Sequence, residues 1–153
     1  MTISKGEYSI TTDRNKMDID FIHSFLARSY WAEGITKEIV VRSINGSLCF
    51  GVFKNSPPSL ASVDAQVGFA RMVTDEATFA YLADVFIIEN HRGQGLSKWL
   101  MEVILAHPGL QGLRRIMLAT RDAHGLYLQS GFTPLNNPER WMQIHKPDVY
   151  KRN

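Results

Sequence analysis

The residues best suited to chemistry lie in the segment Arg92-Gly93-Gln94-Gly95-Leu96-Ser97. An apolar, β-rich run precedes it at residues 81–88, and apolar residues follow it at helical spacing: Trp99, Leu100, Val103, Ile104 and Leu105. A strand, a glycine-rich turn and a helix in this order form an anion site, because the first amides of a helix lack intrahelical partners and the macrodipole adds positive charge. Glycines let the backbone approach a phosphate closely, and Arg92 adds a forked cation. We therefore expect a phosphorylated ligand.

Two common phosphate motifs do not fit this segment. The mononucleotide loop G-x-x-x-x-G-K-[ST] fails because Lys98 is preceded by Ser97 and followed by Trp99. The dinucleotide fingerprint G-x-G-x-x-G, started at Gly93, would have Lys98 in place of its last glycine. The acidic residue expected on the following strand is also missing from residues 113–118.

The segment resembles the [QR]-x-x-G-x-[GA] signature of the GNAT superfamily of acyl-CoA N-acyltransferases. Arg92 and Gly95 match its first and fourth positions, and Ser97 stands where Gly or Ala is usual. Residues 123–132, A-H-G-L-Y-L-Q-S-G-F, resemble the later A-x-x-x-Y-x-x-x-G-F element of the same family. The two elements occur in the family's order and cover the C-terminal half of the chain.

The resemblance implies acetyl-CoA as acyl donor. No metal site is expected, because neither His23 nor His145 lies near a second ligand at metal spacing. The diphosphate would contact backbone amides from Gly93 to Lys98, and the pantetheine amides would pair with backbone groups of residues 85–87 as an added strand would. Thr120 stands where the family often has an Asn that bonds to pantetheine. The implied coenzyme-binding residues are Val85, Phe86, Ile87, Arg92, Gly93, Gln94, Gly95, Leu96, Ser97, Lys98, Thr120 and Tyr127.

Tyr127 matches the family tyrosine, which would protonate the departing thiolate. A phenol, with an ordinary pKa of about 10, keeps its proton at neutral pH and can act as a general acid. The alternative is a packing aromatic with its hydroxyl at the surface.

Asp84 is the second catalytic candidate, since it is the carboxylate inside an apolar run and a buried carboxylate is costly unless paired. It could pair with Arg71 on the adjacent strand, anchor the acceptor amine, or pass the proton of that amine to water. Strict alternation along a strand would turn Tyr81 away from Asp84, which makes Tyr81 a competing candidate. His91 and His124 are more typical of exposed polar positions.

The resemblance places the acceptor pocket at the loop between the first two helices. Tyr30 and Trp31 could form an aromatic wall for a cationic or apolar acceptor, and Glu33 could anchor an amine. Arg71 is expected on the acceptor side as well. Trp31 could equally cover the edge of the core.

Composition bounds the protein class. The 153 residues suit a single domain over 1–153, and the hydrophobic and charged fractions, 44% and 21%, are typical of globular proteins. A net charge of +2 is too small to indicate nucleic acid. The single cysteine, Cys49, excludes an internal disulfide and suits a structural thiol in a reducing compartment. No apolar stretch approaches membrane-spanning length, so we expect a cytoplasmic protein.

Periodicity and turn signals predict the elements that position these residues. Asp18 and Thr36 are predicted to begin helices, Asp122 to cap a short helix, and Gly131 to end that helix in the left-handed conformation. Residues 55–65 are predicted to form an exposed connection. Strands are predicted at 8–12, 48–53, 66–74, 78–88, 116–120 and 141–145, and helices at 18–30, 36–44, 96–107 and 122–130.

This order implies, through the resemblance, the GNAT-type α/β (α+β) fold: a mixed, mostly antiparallel sheet flanked by helices. Its fourth and fifth strands run parallel and splay apart around the pantetheine. The expected function is acetyl transfer from acetyl-CoA to a primary amine of a small molecule or peptide, by direct attack in a ternary complex. A non-catalytic acyl-CoA sensor and an unrelated nucleotide-phosphate binder are the alternatives. The acceptor, the acyl range, the general base and the oligomeric state, a homodimer included, stay open.

Overall fold

A single six-stranded sheet organises the computed structural model, which describes residues 1–59 and 63–151. The strands are β1 (Thr2–Lys5), β2 (Tyr8–Thr11), β3 (Leu48–Lys54), β4 (Ala65–Thr74), β5 (Phe79–Ile87) and β6 (Arg115–Met117). The helices are α1 (Ile19–Leu26), α2 (Lys37–Asn45), α3 (Leu96–Leu105) and α4 (His124–Gln129). Short 3-10 turns occur at Arg14–Lys16, Glu89–His91, Pro108–Leu110 and Pro138–Arg140.

The strands lie in the sheet in chain order, each antiparallel to its neighbour except for the parallel pair β5–β6. That pair is joined only by Phe79↔Arg115, Ala80↔Ile116 and Tyr81↔Met117, although β5 continues to Ile87. The two strands therefore separate after Tyr81, which confirms the mixed, mostly antiparallel sheet with a splay between the predicted fourth and fifth strands.

Helices cover both faces of the sheet. Asp18 and Thr36 cap α1 and α2 through side-chain oxygens that accept from Phe21 and Ile39 amides, as predicted. These helices bury their apolar side chains against one face, in a cluster with Cys49, Phe69 and Phe86: Ile22, Leu26, Val40 and Ile44. Helix α3 packs on the opposite face, with Leu100, Met101 and Ile104 fully buried.

Several predicted boundaries were wrong. Residues Thr2–Lys5 form an additional edge strand, which pattern analysis missed because all four side chains are exposed and no apolar alternation marks them. Helix α1 ends at Leu26, and the fifth predicted strand is shorter, ending at Met117. Within the described residues, the segment 141–145 is not a strand.

The short helix α4 lacks the side-chain cap that was predicted. Asp122 does not cap it; instead Thr120 Oγ1 accepts a hydrogen bond from the Ala123 amide at 3.0 Å. Gly131 follows the helix with φ +96°, as predicted.

The predicted connection over residues 55–65 includes residues 60–62, which lie outside the described residues, and its last residue belongs to β4. Across the described ranges 1–59 and 63–151, no helix combines the length and apolar character needed to cross a membrane.

Candidate active site

The loop before α3 has the backbone geometry of an anion cradle. Gly93 and Gly95 adopt φ +79° and +76°, the left-handed region that favours glycine. A Cβ at either position would meet nothing within 4 Å, so the space in front of the loop is open. Gly95 is the N-cap residue of α3 and has no side chain to accept a hydrogen bond. The first-turn amides of α3 can therefore donate hydrogen bonds to a ligand. This arrangement fits the diphosphate of coenzyme A.

Side chains from other elements hold this loop in place. Arg92 Nε donates to the Ile87 carbonyl oxygen at 2.7 Å, which ties the loop to the end of β5 and uses one of the five guanidinium donors. From β2, Tyr8 Oη lies 2.8 Å from His91 Nδ1 and donates to Gln94 Oε1 at 3.3 Å. His91, expected to be an ordinary exposed polar residue, therefore belongs to the support of the loop. The sequence carries no local signal for it, because Tyr8 is 83 positions away.

Strand β5 bulges at Asp84, directly beside the splay. The register shifts from Phe69↔Phe86 to Arg71↔Ala83, and Asp84 adopts φ +56°, an uncommon value for a residue other than glycine. The bulge breaks the alternation on which the relation between Tyr81 and Asp84 was predicted. Arg71, which binds Asp84, lies on the same face of β4 as Val73, and Val73 pairs with Tyr81. Tyr81 and Asp84 therefore share a face, and the expectation that Tyr81 faces away was wrong.

The Asp84 carboxylate has two partners. Arg71 Nε donates to Oδ2 at 2.6 Å, and Trp31 Nε1 donates to Oδ1 at 2.8 Å. The Arg71 and Asp84 side chains are only 19% and 8% exposed, so the ion pair is largely withdrawn from water. Arg71 also donates to Ser47 Oγ at 3.2 Å. These contacts favour the structural alternative for Asp84, because Asp84 links the loop after α1 to the bulge.

A cavity of about 510 Å³ lies at the splay. It brings together most residues predicted for the thiol and acceptor ends of the site: Tyr30, Trp31, Arg71, Tyr81, Asp84, Val85, Thr120 and Tyr127. Glu33 does not line it. The anion loop, residues 92–98, lies outside this lining, further along the splay at the end of β5.

The lining includes residues that were not anticipated, among them Arg121, His145 and Tyr150. Arg121 Cζ lies 3.8 Å from the centroid of the Tyr30 ring, a cation–π contact between the loop after β6 and the loop after α1. His145 and Tyr150 reach the cavity from the C-terminal segment, and the Tyr150 carbonyl oxygen would lie 2.8 Å from a Cβ built on Gly34. Positions so distant in sequence leave no local pattern by which to find them.

Tyr127 is suited to hold a proton. Its side chain is 9% exposed, and burial, followed by the nearby Tyr30, raises the pKa of its phenol above the usual value. Its ring packs edge-on against Phe132, with centroids 5.8 Å apart. The Thr120 hydroxyl accepts from Ala123, so its own hydrogen is still free to donate toward a ligand carbonyl.

Cys49 is not suited to act as a nucleophile. Cys49 is buried, and burial raises the pKa of its thiol to about 11, which suits the predicted structural role. Within residues 1–59 and 63–151, no group of three or more His, Cys, Asp or Glu side chains is arranged to hold a metal ion.

Fold and site together define a class: a transferase-type α/β domain with an anion cradle at one end of a splayed sheet and a tyrosine at the other. The model of the acetyltransferase (GNAT) domain family matches residues 46–134, which include α3, the splay and α4. The chain belongs to the GNAT family of acetyltransferases, and it is an acyltransferase. Acyl transfer from acetyl-CoA is the general activity of this family.

Similar proteins agree with this assignment. A Gibberella zeae protein named a "putative acetyltransferase" is 30% identical over 139 residues, which cover 81% of this chain and 77% of the relative. A crystal structure of a "putative acetyltransferase belonging to the GNAT family" from Xanthomonas campestris is 45% identical. It has a TM-score of 0.88 and covers 97% of this chain and 100% of that one.

A more distant structure shares the fold. A crystal structure of a "predicted acetyltransferase with acetyl-CoA" from Clostridium acetobutylicum is 15% identical with a TM-score of 0.61. The match covers 95% of this chain and 96% of that one.

Proposed function

We propose that this chain transfers an acetyl group from acetyl-CoA to a primary amine of a small molecule or peptide by direct attack in a ternary complex. The observation that carries the proposal is the meeting of Tyr127, Thr120 and the β5 bulge around one cavity where β5 and β6 separate. The anion cradle lies at the other end of the same splay. A long thioester held at the cradle would therefore reach the cavity with its acyl end.

The residues of the cradle would bind the donor. The amides from Gly93 to Lys98 and the remaining donors of Arg92 would hold the diphosphate, with Gln94 and Lys98 side chains at the rim. Backbone groups of Val85 to Ile87 would pair with the pantetheine, because the parallel partner of β5 ends at Met117 and leaves that stretch of its edge uncovered. When bound, acetyl-CoA supplies the thioester carbonyl that the amine attacks.

The chain's own groups would then stabilise the charge on the carbonyl oxygen and donate a proton to the leaving sulfur. The new C–N bond forms as the C–S bond breaks, and Tyr127 Oη holds the proton that the departing sulfur takes. A backbone N–H of β5 near the bulge would polarise the carbonyl oxygen. The acceptor amine must be neutral to attack, and its proton passes to water, because the Asp84 carboxylate is engaged by Arg71 and Trp31.

The acceptor would lie on the other side of the cavity. Tyr30 and Trp31 form an aromatic wall there, and Arg121 stacks on Tyr30. Asp84 holds the Trp31 indole in place through a 2.8 Å hydrogen bond, so we assign Asp84 and Arg71 to positioning this wall. Glu33 lies outside the lining and could meet only a longer acceptor.

The experiment is release of coenzyme A thiol with a panel of primary amines, for the wild type, Tyr127→Phe and Tyr81→Phe. Both tyrosines border the cavity, so Tyr81→Phe is the matched control. Loss of a general acid should slow turnover about 10²–10⁴-fold in Tyr127→Phe while Tyr81→Phe keeps turnover. Full turnover by Tyr127→Phe, or thiol release with no amine, would contradict the proposal.

A further inference from the structure

The outer edge of β6 is open. Among the described residues β6 pairs only with β5, so the backbone groups on its other side have no strand partner. The segment 132–135 faces this edge. Among the described residues, its only backbone hydrogen bond to another segment runs from the Phe132 amide to the Tyr127 carbonyl oxygen. An unpaired sheet edge is a ready template for an added strand.

Two adjoining cavities separate these two segments. One, of about 650 Å³, lies between residues 113–117 and 130–137, and the other, of about 440 Å³, lies between residues 116–120 and 132–135. We call this combined space the slot. Its floor is apolar, because Ile116, Leu118 and Phe132 pack on the core cluster under α3 and α4. Tyr127 and Thr120 border the second cavity, so the slot adjoins the candidate active site.

The same chain contains a strand-like segment whose apolar residues Met142 and Ile144 are not packed. Residues 141–145, Trp-Met-Gln-Ile-His, alternate apolar with polar positions and were predicted to be a strand. Met142 and Ile144 are 96% and 93% exposed. With a period of two they share one face, which would continue the apolar face of Ile116 and Leu118 if the segment lay in the slot.

The chain's own segment borders its slot only at its start, where Arg140 and Trp141 line the first cavity, and the residues that follow are led away from it. Pro134 and Pro138 lie at the two ends of the connection that leads to this segment. The 3-10 turn Pro138–Arg140 then places Trp141 against the Arg115 guanidinium, whose Cζ lies 4.5 Å from the indole centroid. The tail then continues to Tyr150, which packs beside α1 and α2. Residues 142–149 are exposed throughout, so little packing is lost if they leave this path. Short, proline-restricted hinges of this kind favour exchange of a strand between copies.

We propose that the slot of each chain receives residues 141–146 of a second copy, giving a symmetric strand-exchanged dimer. Each copy has one slot and one free strand, so a two-fold axis satisfies both at once and closes the assembly. The inserted strand would pair with β6 on one side and with residues 132–135 on the other. Met142 and Ile144 of the partner subunit would complete the wall behind Tyr127.

A neighbouring apolar strip supports the same interface. Val73, Phe79 and Tyr81 are 42%, 37% and 37% exposed. Val73 pairs with Tyr81 across β4 and β5. Phe79 pairs with Arg115 of β6, and Tyr81 pairs with Met117. The strip therefore extends across the sheet to β6, which borders the slot. Close approach of a second copy would cover it.

The test is the mass of the full chain in solution by light scattering, for the wild type, Ile144→Lys and Gln143→Lys. Both positions are exposed in this chain, so neither change should affect the fold of one copy, and thermal melts check this. We expect a dimeric wild type, a twofold lower mass for Ile144→Lys and a dimer for Gln143→Lys, because the two side chains would lie on opposite faces of the inserted strand. A monomeric wild type, or a dimer insensitive to Ile144→Lys, would overturn the proposal.

A second measurement separates exchange from a strand that refolds into its own slot. Met142→p-benzoylphenylalanine is crosslinked by light in a refolded mixture of heavy-isotope and ordinary chains. Strand exchange predicts crosslinks between heavy and light chains that join position 142 to peptides from residues 115–120 or 131–135. Crosslinks to those peptides within single chains only would overturn the proposal.

Discussion

At the scale of the residue, Asp84 shows how a buried charge is held. Its carboxylate receives Arg71 and Trp31, and its backbone adopts the positive φ at which β5 bulges. A residue in a sparsely populated conformation persists only when its surroundings determine it, and such residues cluster at functional sites. We therefore read Asp84 as the point that fixes the acceptor wall relative to the splay.

Asp84→Asn should separate this positioning role from the role of general base. Loss of the charge leaves Arg71 uncompensated and mostly buried, so we expect the free energy of unfolding to fall by about 3–5 kcal/mol and the KM for the acceptor to rise. Asp122→Asn, an exposed change at the rim of the same cavity, should leave both quantities unchanged. Chemical denaturation and steady-state kinetics measure them. Turnover that slows about 10²-fold or more, with stability unchanged, would identify a base instead.

Tyr127 should set the alkaline side of the pH profile. An acid acts in its protonated form, and burial raises the pKa of Tyr127 above its ordinary value of about 10. Its proton is therefore retained throughout the neutral and mildly alkaline range. We expect the turnover rate, measured with saturating substrates, to show no decline between pH 7 and about 10. A decline centred near neutrality would point to a different acid.

At the scale of the element, we propose that the backbone at the start of α3 binds the donor. Gly95→Ala should strain φ +76° and place a methyl group in the open space before the first-turn amides. Gly112 provides a matched control, because it has the same φ of +76° and nothing within 4 Å of its would-be Cβ, but precedes β6. Both variants should lose about 1 kcal/mol of stability, and Gly95→Ala alone should bind acetyl-CoA more weakly in calorimetry. Equal affinities would remove the loop from the donor site.

Elements were predictable where one face of the pattern is buried. The cap residues Asp18 and Thr36 and the apolar stripe of α3 have local causes, and the structure has them as expected. Strand β1 was missed because its four side chains are exposed and its stability comes from pairing with β2. The strand predicted at 141–145 has the right alternation, but it has no neighbouring strand within the described part of its own chain. Alternation of apolar and polar residues indicates a propensity to form a strand, but a strand forms only where a neighbouring strand can pair with it.

At the scale of the whole molecule, the residues of the proposed donor site could be suggested from sequence, and much of the lining of the acceptor cavity could not. The anion loop and Tyr127 lie in short contiguous motifs, so sequence sufficed to propose them. The acceptor cavity joins Trp31 to Asp84, Arg121 to Tyr30 and Tyr150 to Gly34, contacts between distant segments. The positive φ of Asp84 at the bulge was also unpredictable, because residues other than glycine rarely adopt it and no sequence pattern marks it. These residues meet only in the folded chain, so local sequence patterns cannot predict their contacts.

The central claim, that this fold holds acetyl-CoA for transfer, is tested most directly by thermal unfolding with acetyl-CoA, with ATP as a phosphate control. Ligand at about 100 times its dissociation constant should stabilise the native chain by about 2.7 kcal/mol. We predict a rise in Tm that saturates with acetyl-CoA and is absent or much smaller with ATP, because the pantetheine and acyl parts contact the splay. An unchanged Tm at millimolar acetyl-CoA would contradict the account.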